Sequence, residues 1–359
     1  MKKYQLVLCF VFFFFQLFNQ GVAQIQNDEV YEYPGLNSQD YRYLIRIPDI
    51  NGYKTLKCDF HVHTIFSDGK VWPDQRVKEA WNVGLDVIAI TDHLEYRPNK
   101  EILISDHNKS YEIAKKQGDA IGMLVVKGAE ITRQKPIGHL NALFIKDADK
   151  LDIPDSYDAI NEAIKQGAFI LWNHPGWPDD VSTIYPIHRK LIAENKIHGV
   201  EIFNGWEAYP KVIDWCNEFG LAPFANSDLH YTSSNLYREK TLRPMTLVFA
   251  KEYTEESLKE ALFSGRTVAF YNHVLSGKEE FLKSIIKASL SVRVINREKG
   301  TIEITNQSDI IYEIQYGKFM YPVALYPNQV LRTNIPAGSD VTFMNCIIGK
   351  DRYVVSSLW

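Results

Sequence analysis

The chain has 359 residues, 45% of them hydrophobic, and a formal net charge of -4. That length exceeds one typical domain without requiring three, and the apolar share is ordinary for a globular protein. The small negative charge argues against a general nucleic-acid or membrane-surface binder.

Lys2 and Lys3 precede an apolar stretch from Leu6 to Phe18, and Gly21-Val22-Ala23 supplies small residues before Gln24. This is the order of a secretory signal peptide. Residues 1–23 are therefore expected to be removed and the mature protein to be exported, periplasmic or secreted. The stretch falls short of the roughly 20 apolar residues a membrane span needs, and no later segment is long and apolar enough, so no transmembrane segment is expected after signal removal. Cys9 lies inside the stretch, which argues against a lipid-modified mature terminus. Of the 4 cysteines, Cys58, Cys216 and Cys346 remain; an odd, widely spaced set is no disulfide framework, although one pair can still oxidise.

Residues 24–53 are polar and tyrosine-rich, broken by Pro34-Gly35 and Pro48, and read as an N-terminal arm. From 54 to 284 short apolar runs alternate with amphipathic stretches. The runs are Leu56–Val62, Asp86–Thr91, Met123–Ile131, His139–Ile145, Ala168–Trp172, Gly199–Phe203 and Leu221–Asn226. Helical patterns between them carry recognisable ends: Pro73 opens one and Gly84 closes it, Asp155 caps another before Gly167, and Thr254 caps a third before Gly265. Strands alternating with helices imply parallel pairing through right-handed crossovers. About seven such units predict an α/β fold, a closed or nearly closed barrel. A doubly wound sheet is the alternative, but no glycine-rich phosphate loop follows an early strand. Residues 285–359 change texture to short alternating strands punctuated by Gly, Asn, Asp and Pro, which predicts a small all-β, sandwich-like C-terminal domain.

In such barrels the chemistry sits at the carboxyl ends of the strands. The first run ends in His61-Val62-His63, whose alternate residues point to one side, followed by Ser67-Asp68-Gly69. Alone, the pair fits either metal ligation or two imidazoles hydrogen-bonded to backbone. The other strand ends decide between these. They carry Thr91-Asp92-His93, Gly128-Ala129-Glu130, Gly138-His139, Asn173-His174-Pro175, Glu201 with Asn204, and Asn226-Ser227-Asp228-Leu229-His230. Six of the 10 histidines fall in these places; His107, His188, His198 and His273 stand in helical or loop contexts and read as surface or structural. Imidazole and carboxylate are ligands for zinc, manganese and iron, and one zinc centre takes three or four protein ligands. The larger set here implies two or three divalent ions (Zn, Mn or Fe).

The order Asp59-Phe60-His61-Val62-His63-Thr64, Ser67-Asp68-Gly69, Thr91-Asp92-His93, Gly128-Ala129-Glu130, Gly138-His139, Asn173-His174-Pro175 and Ser227-Asp228-Leu229-His230 resembles the polymerase and histidinol phosphatase (PHP) superfamily. The resemblance spans roughly Leu56 to Tyr271. It implies a distorted (β/α)7 barrel with a di- or trinuclear site. Carried over, His61, His63, Glu130 and Asp228 would hold one metal. Glu130 would bridge to a second, held also by His139 and His174, and Asp68, His93 and His230 would hold a third. Some relatives have histidine where Asp68 stands, which leaves the metal open among zinc, manganese and iron.

Such a site suits phosphate-ester hydrolysis by a metal-bound hydroxide. Asp92 is expected to act by orienting a ligand, with Asn173, Glu201 and Asn204 as further candidates for that role. Arg97, Arg133, Arg238 and Arg243 lie near the loops and suit bidentate phosphate contact; with Asp92, Arg133 and Arg243 are the candidates for catalytic roles beyond ligation. The leading expectation is an exported phosphoesterase acting on a small phosphorylated substrate, with no stable nucleic-acid partner and an undetermined oligomeric state. The rivals are a phosphodiesterase or nuclease, a catalytically silent metal-containing binding protein, and a metal-dependent amide hydrolase, against which no lysine is placed like a bridging carbamate.

Overall fold

The computed structural model describes residues 41–237, 242–318 and 321–359. Residues 1–23, expected as a signal peptide, residues 24–40 of the expected arm and Arg238 lie outside the described residues. The strands expected from the sequence form β1 (Lys54–Asp59), β2 (Val87–Ile90), β3 (Leu124–Thr132), β4 (His139–Leu143), β5 (Phe169–Trp172), β6 (Gly199–Asn204) and, after a two-residue β7 (Glu207–Ala208), β8 (Ala222–Asn226). Between them run α1 (Pro73–Asn82), α2 (Lys109–Ile121), α3 (Ser156–Lys165), α4 (Pro186–Ala193) and α5 (Val212–Phe219). The ends follow the local chemistry. Pro73 occupies the first turn of α1, and the Asp155 side chain accepts the Asp158 N–H at the start of α3.

β1, β2 and β3 pair in parallel, as do β5, β6 and β8. The uniformly parallel array expected from the sequence is corrected at β4, which runs antiparallel to both β3 and β5. Only residues 133–138 separate β3 from β4. A parallel crossover needs a dozen residues or more, so the chain returns as a hairpin. Beyond the strand ends the backbone keeps pairing: Val62 bridges Leu229 and His93 bridges Glu130, and Asp228 N donates to His61 O at 2.9 Å. The first and last strands of the series therefore meet where the ligand residues stand.

β9 (Met245–Ala250) adds antiparallel to β1, and β10 (Thr267–Tyr271) and β11 (Val274–Gly277) continue that edge. α6 (Glu255–Phe263) joins β9 to β10, capped by the Thr254 side chain accepting Ser257 N–H. α7 (Glu279–Ser289) leads to an all-β region: β12 (Leu290–Asn296), β13 (Thr301–Asn306), β14 (Tyr312–Tyr316), β15 (Val323–Leu325), β16 (Val330–Asn334), β17 (Val341–Gly349) and β18 (Arg352–Ser356). β12, β13 and β16 form one layer, while β14, β15, β17 and β18 form another. Ile302 and Ile304 of the first share a core with Tyr312, Ile314, Val341 and Phe343 of the second.

The boundary expected at 284/285 falls inside α7, and β17 pairs in parallel with β11 through Leu275 and Cys346. One sheet thus runs from the barrel strands into the C-terminal region, and Arg42–Trp359 form a single compact unit. The described part of the arm is tied to both ends of it, Arg42 to Asp86 at 2.6 Å and Arg46 to Asp309 at 2.7 Å. Cys58, Cys216 and Cys346 are buried and free. No helix among the described residues is long and apolar enough to cross a membrane.

Candidate metal centre

Phe60 sits in a core with Leu56, Cys58, Phe169 and Phe224. Its peptide is gripped from both sides, the N–H by Asn226 Oδ1 at 2.8 Å and the carbonyl by Asn141 Nδ2 at 3.1 Å. The next residues deliver His61 and His63, both wholly buried. Gly69 is required by the turn that follows, since a Cβ there would stand 2.7 Å from the His63 backbone. This turn brings Asp68 back toward the histidines.

Glu130 stands at the centre. Its Oε1 lies 3.5 Å from His61 Nε2, 3.6 Å from His174 Nε2 and 3.2 Å from His139 Nδ1; its Oε2 lies 2.7 Å from His93 Nδ1 and 3.6 Å from His63 Nε2. Asp228 Oδ1 approaches His63 Nε2 at 3.0 Å and His61 Nε2 at 3.2 Å. Asp68 Oδ1 faces His230 Nε2 at 3.2 Å and His93 Nε2 at 3.6 Å. All nine residues expected as ligands therefore surround one region. Their donor atoms converge as His61–Glu130–His174, His61–His63–Asp228 and His63–Asp68–His93–His230. The sets differ from the grouping expected by resemblance: His63 also faces the Asp68 cluster, His61 joins Glu130 and His174, Glu130 is absent from the His61–His63–Asp228 set, and His139 lies outside all three. His174 and Asp228 hold φ of +23° and +52°, a strained region for residues with side chains and one that clusters at functional sites.

The donor set fits cations. His61 Nε2, His63 Nε2, Asp68 Oδ1, Glu130 Oε2 and Asp228 Oδ1 are buried without a hydrogen-bond partner. They approach one another closely but are not aligned to bond, and orphaned buried polar groups are costly. Bound cations would satisfy them. The electrostatics agree. Burial opposes charging of Glu130, yet His93, His61, His139 and His174 hold its carboxyl well below the usual range. Asp228 is likewise held low against burial, by His61, His63 and His174. Burial also opposes charging of His61, but Asp228, Glu201 and Glu130 raise it well above the ordinary imidazole value. The anionic pocket thus attracts positive charge. His63 is the exception: burial, with His93 and His230 beside it, lowers it to about 4.

Buried polar residues fix the ligands from behind. Glu201 Oε1 accepts from His61 Nδ1 at 2.9 Å and from Asn226 Nδ2 at 2.9 Å, while its Oε2 accepts the His174 N–H at 2.7 Å and Asn204 Nδ2 at 2.8 Å. Asn173 Nδ2 donates to Glu130 Oε1 at 2.8 Å. Asp92 touches no ligand atom. It accepts from Thr64 N, Thr64 Oγ1 and Ser67 Oγ, each at 2.7 Å, and so holds the turn that carries His63 and Asp68. Its contacts give Asp92 the orienting role expected of it, exerted on the turn and not directly on a ligand side chain.

One arginine expectation is corrected. Arg243 is buried and committed to Asp59 and to Ser227 Oγ; a guanidinium so enclosed cannot clamp a phosphate. Arg133 pairs with Glu95 and donates to the carbonyls of Thr132 and Ile153. Arg97 likewise donates to Phe66 O and Ser105.

Sequence reasoning passed over Arg76. Wholly buried in α1, it donates to His63 O from Nε at 3.2 Å and Nη2 at 3.0 Å, to Leu229 O at 3.2 Å and to Tyr231 O at 2.9 Å. One guanidinium thereby ties the two ligand-bearing segments together. The signal was its register, because Arg76 falls with Pro73, Val77 and Ala80 on the buried stripe of α1, where a charge requires a partner. Asp59 was quoted only as part of a motif. Its carboxylate accepts from His61 N at 3.3 Å and Ser227 N at 3.2 Å, joining the same segments.

The ligands open into a cavity of about 450 Å³ also lined by Tyr96, Thr132, Gln134, Trp177, Asn204 and Glu207. Its size lies within the ~300–1,000 Å³ of small-molecule sites.

Histidines and carboxylates converging from strand ends define a metal centre on an α/β scaffold. The family model of the PHP domain matches residues 59–295, and the chain belongs to that family. Among solved structures it is similar to a two-domain protein of Bacteroides vulgatus containing a predicted PHP-like metal-dependent phosphoesterase. That likeness covers 88% of this chain and 98% of the other, at 36% identity and a TM-score of 0.84. Two uncharacterised proteins of Methanocaldococcus jannaschii are each 29% identical, one over 49% of this chain and 82% of its own length, the other over 42% and 83%.

Proposed function

We propose that the protein is an exported hydrolase of phosphoric esters that works with two or three bound divalent ions and acts on a small phosphorylated substrate. The observation that carries this reading is the set of five orphaned donor atoms on His61, His63, Asp68, Glu130 and Asp228. The Bacteroides vulgatus relative supports the ester class, and the sequence of residues 1–23 supports export.

Bound there, divalent ions supply an activated water and neutralise charge developing on phosphoryl oxygens. His61, His63, Asp68, His93, Glu130, His174, Asp228 and His230 would hold them, with His139 beside Glu130. Glu201 keeps His61 Nδ1 engaged, so Nε2 faces the site. Arg76 and Asp59 hold the His61–His63 and Asp228–His230 segments at fixed separation, which keeps the carboxylates aimed inward.

The test is metal analysis of the purified protein with hydrolysis of phosphomonoesters and diesters under zinc, manganese and iron. More than one ion per chain and metal-dependent ester cleavage are expected. Less than one ion per chain, or no cleavage with any ester, overturns the reading.

A further inference from the structure

Around the mouth of the metal cavity stand aromatic side chains that the packing of the fold does not require. Trp177 is 43% and Tyr96 55% exposed, yet both line the cavity. Each lies against a ligand histidine: the Trp177 ring is 4.7 Å from that of His139 and 6.0 Å from that of His174, and Tyr96 is 6.1 Å from His93. Trp177 is held in place. Its N–H donates to His174 O at 3.0 Å, and the preceding Gly176 packs so closely on Tyr209 that a Cβ would stand 2.8 Å from that ring. A large apolar ring fixed by its backbone, with one side on a ligand histidine and much of the remainder open to solvent, is a preformed stacking surface.

The remaining lining groups describe the rest of the ligand. Beyond the metal ligands, the described residues contribute Thr132, Gln134, Asn204 and Glu207, which are neutral or acidic. They suit hydrogen bonds to hydroxyl or amino groups.

We propose that Trp177, with Tyr96 beside His93 on the same cavity, forms a subsite for a flat, uncharged ring on the alcohol side of the ester, so that the preferred substrates are phosphate esters of ring-bearing alcohols. This inference rests on the phosphoesterase reading above. The phosphoryl group would lie at the histidines and carboxylates, with the ring against the indole and its polar substituents toward Gln134, Asn204 and Glu207.

Calorimetric titration of the metal-loaded protein with phenylphosphonate and with methylphosphonate tests this without turnover, because the two share a phosphoryl group and differ in the ring. Phenylphosphonate is expected to bind about tenfold more tightly, near the top of the range of one aromatic stacking contact. Trp177→Ala should remove most of that gap and leave methylphosphonate within about twofold, and Trp177→Phe should restore part of it. With phenyl phosphate as substrate, Trp177→Ala should raise KM about tenfold with kcat little changed. Tyr96→Ala should act in the same direction and more weakly. Equal affinities for the two phosphonates in the wild type, or a preference that survives both alanine variants, overturns the subsite while leaving the phosphoesterase reading standing. If neither phosphonate binds and no ester is cleaved, both fall together.

Discussion

Buried histidines occupy two regions of this molecule and, His63 apart, behave in opposite ways. In the flank formed by α4 and the start of β6, His188 uses both ring nitrogens on backbone: Nε2 donates to Ile137 O at 2.9 Å and Nδ1 accepts Tyr185 N–H at 3.2 Å. His198 Nδ1 accepts Ile170 N–H at 2.9 Å. Burial lowers each to about 4. At the strand ends the desolvation is as severe, yet His61 is raised well above its usual value and His93 to about 9, because carboxylates converge on them. The nitrogens differ too. A histidine buried for packing finds backbone partners, whereas His61 and His63 each leave Nε2 aimed at other ligands without a bond. Burial alone therefore does not mark a ligand histidine. For His61 and His63, burial with an orphaned nitrogen facing a carboxylate does.

The strongest way to break this contrast is Glu130→Ala, since Glu130 lies within 3.6 Å of five ligand histidines. Its loss should lower kcat/KM for phosphate esters by about 10³-fold or more, the several kcal/mol attributed to metal-borne charge stabilisation. The metal content should fall by at least one ion, and His93 should titrate below its value of about 9. Metal analysis with steady-state kinetics reads the first two, and histidine NMR titration of the metal-free protein reads the third. An unchanged metal content would remove Glu130 from the centre.

Glu201→Gln sharpens the contrast at a residue that coordinates nothing. The carboxylate accepts four hydrogen bonds, including those from His61 Nδ1 and His174 N. An amide turns one of those acceptors into a donor facing other donors. Metal affinity, measured by competition with a chelator, should weaken by about 10–100-fold. Retention of wild-type affinity would mean that the His61 ring is fixed by packing alone.

The strand-end rule made the nine expected ligand positions readable because ligand type and strand position both lie in local sequence. Fates set by distant partners were not readable. Whether Arg243 meets solvent or Asp59 depends on a residue 184 positions away, and Arg133 depends on Glu95 across a separate loop. The reversal of β4 was in principle legible, since six residues between β3 and β4 leave no room for a helix. The continuity of β11 with β17 was not, because residues 278–340 separate them. The C-terminal strands were recognisable by alternation, Thr301–Asn306 above all, with its buried Ile302 and Ile304. Their attachment to the barrel edge is a long-range pairing that periodicity does not encode.

The smallest effect separates the two histidine classes by pH. Protonation of His188 would place a second N–H against the Tyr185 N–H that Nδ1 now accepts, which gives burial a specific way to hold the ring neutral. Its folded value of about 4 lies below the unfolded value of about 6.5. A proton therefore binds the unfolded chain more readily, and this contribution to stability is complete above about pH 6.5 and is lost as pH falls toward 4. By pH 5.5 the loss amounts to about 1.4 kcal/mol. His188→Gln keeps one donor and one acceptor without a titrating group. Denaturant unfolding of metal-free wild type and variant between pH 7 and 5.5 should show the wild type losing more by about that amount, while the strand-end histidines, common to both, cancel. Parallel pH profiles would mean that His188 titrates alike in the folded and unfolded chain, and the division between packing and ligand histidines would then rest on geometry alone.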